Sequence, residues 1–139
     1  MTRIIGLDHG ARRIGVAVGD KETGMAFARE AIRRRSLNGD LALVAELCAR
    51  EAASLVVIGL PLNMDGSEGD QAAAARTFGG ELERIGLEVA FVDERLTSWE
   101  AGQLLTEAGR RPSRRSGELD STAARLILQQ YLDRPEEIE

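Results

Sequence analysis

Residues Leu55 to Leu60 read Leu-Val-Val-Ile-Gly-Leu, a run without one polar side chain. A strand sends alternate residues to opposite faces of its sheet, so both faces must here be covered. That requirement excludes an open one-faced sheet and asks for helices on either side. Pro61 ends the run. Three further segments supply strands before it. Arg3 to Asp8 is a shorter apolar run ending at a carboxylate and Gly10. Ile14 to Val18 is a second strand, with Gly15 permitting close packing. After the turn Asp20 to Gly24, Met25 to Ile32 forms a third. Short turns join these strands, so antiparallel hairpins are the simplest topology.

Helical spacing appears next. Asn38-Gly39-Asp40 precedes a pattern that puts Leu41, Val44, Leu47 and Cys48 on one face. After the all-apolar strand, residues 62–69 form a loop rich in Gly and Asp. A second helix then runs from about Asp70 to Ile85, with Ala72, Ala75, Phe78, Leu82 and Ile85 as its stripe and Gly86 at its end. Leu87 to Val92 is a fifth strand, ending at Asp93-Glu94-Arg95. Thr97 to Glu100 fits a capping box for a helix that ends near Gly109. A basic loop over residues 110–117 leads to a last helix, about Leu119 to Leu132, with Ala123, Ile127, Leu128, Tyr131 and Leu132 inward. The order is βββαβαβαα, an α/β class with an antiparallel start and parallel later strands.

The 139 residues form one domain, 1–139, with a short solvated tail from about 133. The net charge of -5 speaks against a generally basic coat protein for nucleic acid. The positive charge is nearly all arginine, with Lys21 the lone lysine, and arginine suits bidentate phosphate contacts. The single cysteine, Cys48, excludes an intrachain disulfide and a Cys-rich zinc site. The single histidine, His9, excludes a multi-histidine metal site within one chain. No apolar run reaches the roughly 20 residues that span a bilayer. The start turns acidic at Asp8, before a signal-peptide core could form, so a cytoplasmic location is expected.

Asp8 and Glu94 each follow an apolar strand, and Asp120 begins an apolar helix. Carboxylates at strand ends can converge at the C-terminal edge of a sheet. Three converging carboxylates repel unless a cation neutralises them, and Mg²⁺ or Mn²⁺ favours such oxygen ligands. Two such ions can activate a water and stabilise the leaving oxygen of a phosphodiester. The plainer alternative is turn chemistry at the strand ends and a favourable charge at the helix start.

Four blocks then carry a resemblance across almost the whole chain. They are GLDHGARRIGVAVGD, IGLPLNMDGSEG, VDERLTSWEA and ELDSTAARLILQQYL, in that order. The sequence resembles the YqgF/RuvX family, the pre-16S rRNA nucleases related to Holliday-junction resolvases. The resemblance implies a ribonuclease-H-like fold, a five-stranded mixed sheet of order 3-2-1-4-5 flanked by helices. It implies a hydrolase with Asp8, Glu94 and Asp120 as catalytic and metal-holding acids, Asp8 being the central ligand. Asp93 is the rival to Glu94. Mg²⁺ or Mn²⁺, as two ions, is the implied cofactor. Precursor 16S rRNA is the implied partner, with structured or branched DNA as the alternative, no membrane, and a monomer or homodimer. The implied products carry a 5′-phosphate and a 3′-hydroxyl. Arg12 stands where family members commonly have lysine, and Gly19 stands where serine is frequent.

Arg12, Arg13, Arg95, Arg114 and Arg115 are the candidate nucleic-acid-binding residues, against the alternative of solvated surface charge. Arg33-Arg34-Arg35 reads as a solvated turn that could extend such a track. Strand alternation turns His9 away from Asp8, toward a packing role. Trp99, in the first turn of a helix, fits core packing better than base stacking, and Cys48 falls on an apolar helix face. The loop with Pro61, Asn63 and Gly66 to Gly69 could approach substrate or serve as a tight connection. Two competing classes remain beside a nuclease. A non-catalytic RNA-binding assembly factor would have no need of three converging acids. An actin-like phosphotransferase is suggested by Asp8-His9-Gly10 alone, and no GxxxxGK[ST] loop accompanies it.

Overall fold

The computed structural model describes residues 2–93 and 118–133, the first three residues of the last helix in backbone only. The strands are β1 (Arg3–His9), β2 (Arg13–Asp20), β3 (Met25–Arg33), β4 (Ala53–Leu60) and β5 (Glu88–Asp93). The helices are α1 (Leu37–Glu51), α2 (Asp70–Arg84) and α3 (Glu118–Asp133). One sheet runs in the order β3-β2-β1-β4-β5. β1, β2 and β3 pair antiparallel, while β4 pairs parallel with both β1 and β5. The hairpin start and parallel continuation are therefore as the turn lengths require. The expected helix after Thr97 and the tail from Arg134 lie outside the described residues.

The sheet is covered on both faces, as the apolar β4 demands. α1 and α2 cover one face with Leu41, Val44, Leu47, Cys48, Phe78 and Leu82, against Ile5, Leu7, Ile14, Val16, Val56 and Ile58. Among the described residues, α3 covers the other with Ala124, Ile127 and Leu128, against Ile4, Ala17, Ala26, Val57, Ala90 and Val92. Tyr131 and Leu132 pack at its margin.

Two local readings change. α1 begins earlier than Asn38-Gly39-Asp40 suggests, because Ser36 is the N-cap and its side chain accepts from Gly39 N at 3.0 Å. Asn38, Gly39 and Asp40 form the first turn rather than a preceding loop. Ile85 leaves the core stripe of α2. It is the C-cap residue, 50% exposed, with Gly86 beyond it at a φ of 99°.

Candidate active site

Asp8 lies one residue before the end of β1 and is half-buried. Alternation places it with Ile4 and Gly6 on the α3 face, and Ile5, Leu7 and His9 on the other. Its partner across the antiparallel ladder is Gly15. On the parallel side, Leu7 pairs with Ile58, and Gly59 follows. Asp8 is thus flanked by glycine on both neighbouring strands, and those strands put no side chain beside its carboxylate.

α3 starts where β1 ends. Val16 N makes a long contact of 3.5 Å to Ser121 Oγ, at the Asp8 end of the sheet. Further along, Leu128 lies over Gly6, and Leu132 over Gly19. The helix therefore runs antiparallel to β1, and the backbone of Asp120, just before Ser121, comes to the same end as Asp8. Small residues allow this close approach. A Cβ on Gly6 would stand 2.7 Å from Leu128 Cβ and 3.1 Å from Ala124 O. One on Gly19 would stand 2.9 Å from Leu132 Cδ1 and 3.0 Å from Leu128 Cδ2, which gives Gly19 a physical reason in this chain. Sequence reasoning passed over this trough, although Gly15, Ala17 and Gly19 recur at strand period on β2.

Asp93 closes β5 opposite Leu60, on the face of Val89 and Phe91 rather than that of Ala90 and Val92. It therefore turns away from the face of Asp8. Glu94, Arg95, Arg114 and Arg115 lie outside the described residues, and Asp120 is described through its backbone alone. Among the described residues, no group of three or more His, Cys, Asp or Glu could hold a metal ion. Of the expected acids, only Asp8 has a described side chain.

The turn after Asp8 is held from below. Gly10 N donates to Arg13 O at 2.9 Å, and a Cβ on Gly10 would come within 2.6 Å of that oxygen. Arg34 Nη1 donates to Gly10 O at 3.1 Å, and its Nε donates to Asp40 Oδ2 at 3.1 Å. Arg35 N donates to Asp40 Oδ1 at 3.2 Å, and Arg34 N to Arg12 O at 2.9 Å. Asp40 is 1% exposed. The arginine run is therefore only partly solvated, with Arg33 and Arg35 exposed and Arg34 drawn in. Arg33 ends β3, and Arg34 fastens the β1–β2 turn to the start of α1. Asp40 went unnoticed in the sequence because a carboxylate in a first helical turn ordinarily signals only the helix dipole.

Arg12 is exposed in that turn, and Arg13 is half-buried at the start of β2. His9 packs on Phe78 with ring centroids 4.9 Å apart. Burial, and then the charge of Arg34, push its pKa below the ordinary value, favouring neutral imidazole. Cys48 is buried, and burial pushes its thiol up to about 11. The loop after β4 is closed by Asn63 N to Ser67 O and Gly66 N to Asn63 O, both 2.8 Å. It sits at the same sheet edge as Asp8 and is ordered by its own bonds.

The family described as "RuvX: Holliday junction resolvase" matches residues 2–134. The chain belongs to the RuvX family. This RuvX chain is 48% identical over 133 residues to a Moorella thermoacetica protein named "Putative pre-16S rRNA nuclease", covering 95% of each. A Myxococcus xanthus protein of the same name is 44% identical over 132 residues, covering 94% of the RuvX chain and 87% of the relative. Among solved structures, T. thermophilus RuvC in complex with Holliday junction substrate gives a TM-score of 0.61 at 15% identity. That match covers 100% of this chain and 99% of the other. The large terminase nuclease of phage G20c gives 0.57 at 16% identity, covering 94% and 81%. At these identities the structural matches speak for the fold, which is the ribonuclease-H-like fold that the sequence blocks imply.

Proposed function

We propose that this chain is a metal-dependent nuclease that hydrolyses phosphodiester bonds in the 5′-end maturation of precursor 16S rRNA, in the cytoplasm. The observation that carries this reading is Asp8, on the α3 face between Gly15 and Gly59, at the end where the first turn of α3 begins. An acid flanked by glycine on both neighbouring strands suits a hydrated divalent ion, because Mg²⁺ keeps several of its waters. Asp8, Glu94 and Asp120 would hold the ion or ions, which the all-oxygen donor set fits. When bound, such ions supply charge neutralisation and Lewis acidity at the phosphodiester. Arg12, Arg13, Arg95, Arg114 and Arg115 would bind neighbouring phosphates and fix the strand's register. With a net charge of -5, binding must come from such a local patch and fade with salt. No helix among the described residues is long and apolar enough to cross a membrane.

A second reading, cleavage of branched DNA, is favoured by the family's description as a Holliday junction resolvase. Symmetric cutting of a junction would then need two copies presenting two sites. The test compares wild type with Asp8→Asn on a precursor 16S rRNA fragment and on a four-way DNA junction. Both are run with Mn²⁺, with Mg²⁺ and with chelator. The expected result is metal-dependent cutting of the RNA, reduced in Asp8→Asn to the chelator background while the circular-dichroism spectrum is unchanged. An equally active Asp8→Asn removes the site assignment. Preferential junction cutting selects the second reading, and binding without cutting leaves an assembly factor.

A further inference from the structure

The ladder register sets two arginines against each other. Arg13 opens β2, Arg33 closes β3, and the two are partners across the antiparallel pair. Their neighbours Ile14 and Ile32, also partners, turn toward the α1/α2 core. Arg13 and Arg33 therefore share the opposite face, the one that carries Asp8. Like charges directly opposite on antiparallel strands destabilise the pair. Among the described residues, neither guanidinium has an ion pair or hydrogen bond. The nearby buried carboxylate, Asp40, is taken by Arg34 and by the amide of Arg35. The arginine run is thus divided by strand alternation. Arg34 turns to Asp40 and serves the fold, while Arg33 turns to the face of Asp8 and stands beside Arg13 without a carboxylate partner among the described residues.

We infer that Arg13 and Arg33 jointly seat one backbone phosphate of the nucleic-acid substrate, upstream or downstream of the bond cut at Asp8. The inference rests on the nuclease reading above and adds a path for the bound strand. An anion between the two guanidinium groups converts their repulsion into two charge-assisted contacts. Neighbouring strands lie about 4.8 Å apart, so β3 is roughly 10 Å from β1. Single-strand rise is about 3.4 Å per nucleotide, so a strand held at Asp8 covers that span in about three nucleotides. The rival route is a groove of 520 Å³ between β3 and α1, which Arg29 and Arg33 also border. That groove sets Glu30, Glu46 and Glu51 among Arg29, Arg33, Arg35 and Arg50, and Glu46 pairs with Arg50, so little net positive charge is left to draw phosphate.

The experiment measures binding of a fluorescent precursor 16S rRNA fragment in chelator, across a salt series, beside thermal unfolding of each protein. Arg33→Ala should weaken binding about three- to tenfold at low salt. It should also lower the salt slope by about one phosphate contact, 0.7 to 0.9. Arg13→Ala combined with Arg33→Ala should lose less than the product of the single losses, because one phosphate is shared. Arg29→Ala, on the groove side, should bind as wild type. Arg33→Glu should weaken binding yet raise Tm at low ionic strength, since it replaces repulsion from Arg13 by attraction. Wild-type binding with Arg33→Ala unchanged overturns this inference alone. An Arg29→Ala loss equal to that of Arg33→Ala moves the track to the groove and overturns it as well. Failure of wild type to bind either the RNA or a four-way junction removes the nuclease reading and the phosphate seat together.

Discussion

The two faces of the sheet are filled by opposite means. Toward α1 and α2 the sheet presents Ile5, Leu7, Ile14, Val16, Val56 and Ile58, each at most 1% exposed. Two helices stand off on this bulk and meet it with Val44, Phe78 and Leu82. Toward α3 the sheet presents Ile4, Val57 and Val92 together with a row of small residues, Gly6, Ala17, Gly19, Ala26 and Ala90, and α3 settles over the small ones. A face packed with large side chains stabilises in proportion to the apolar area it hides. A face packed with small ones hides less area but fixes a distance, here that between the start of α3 and Asp8. One face therefore serves stability and the other position.

The sharpest way to break this contrast is a pair of substitutions of opposite kind. Leu82→Ala empties part of the α2 core and should cost about 2–5 kcal/mol. The folded fraction should cut substrate at the wild-type rate, because Leu82 lies on the sheet face away from Asp8. Gly6→Ala adds one methyl against Leu128 and Ala124 and should cost about 1–3 kcal/mol. It should nevertheless reduce turnover on the order of tenfold or more, as α3 rises from the trough and its first turn leaves Asp8. Urea unfolding with activity normalised to folded protein separates the two. Equal activities per folded molecule would remove the division of labour.

Much of this was legible in the sequence, for reasons that differ from element to element. The apolar run of β4 demanded two covered faces, and short turns demanded a hairpin start. The helical stripes through Val44, Phe78 and Ile127 are buried as their spacing requires. The place of Asp8 near the end of β1 was readable because an apolar run closes on that carboxylate. The strand order, and the roles expected of Asp8, Glu94 and Asp120, came from the family blocks, since periodicity alone does not order strands. The trough was missed because small residues look like an absence of packing until a helix is laid on them. The Arg34–Asp40 contact was missed because a run of arginines reads as surface, and strand alternation across β3 becomes visible only with the register.

The Arg34–Asp40 contact tests whether position is set by the trough alone. Asp40→Asn keeps the shape but removes the charge facing a guanidinium that is 26% exposed. Losing a buried, hydrogen-bonded charge pair is costly, and the partial exposure of Arg34 reduces that cost. About 1–3 kcal/mol is expected. Turnover should fall with it, by several-fold per folded molecule, because Arg34 also holds the carbonyl of Gly10 in the turn that follows Asp8. Full activity in folded Asp40→Asn would mean that the β1–β2 turn keeps its shape through Gly10 N and Arg13 O alone.

Cys48 gives the smallest and most local readout, and it reports on the bulky face alone. Its thiol lies among the α1 and α2 side chains, with a pKa raised from 9.0 to about 11 by burial. In that range the folded state keeps a proton that the unfolded state releases, so stability falls as pH rises from 9 toward 11. Below pH 9 the thiol should react with an aromatic disulfide reagent only when the α1 face opens. Leu82→Ala should hasten that reaction at pH 8 about tenfold or more, at the conversion of 1.4 kcal/mol per decade. Gly6→Ala should change it far less, because the added methyl meets α3 and leaves α1 in place. Equal acceleration by the two would show that the faces open as one cooperative unit. The contrast between bulk and trough would then be one of shape, not of separate stabilities.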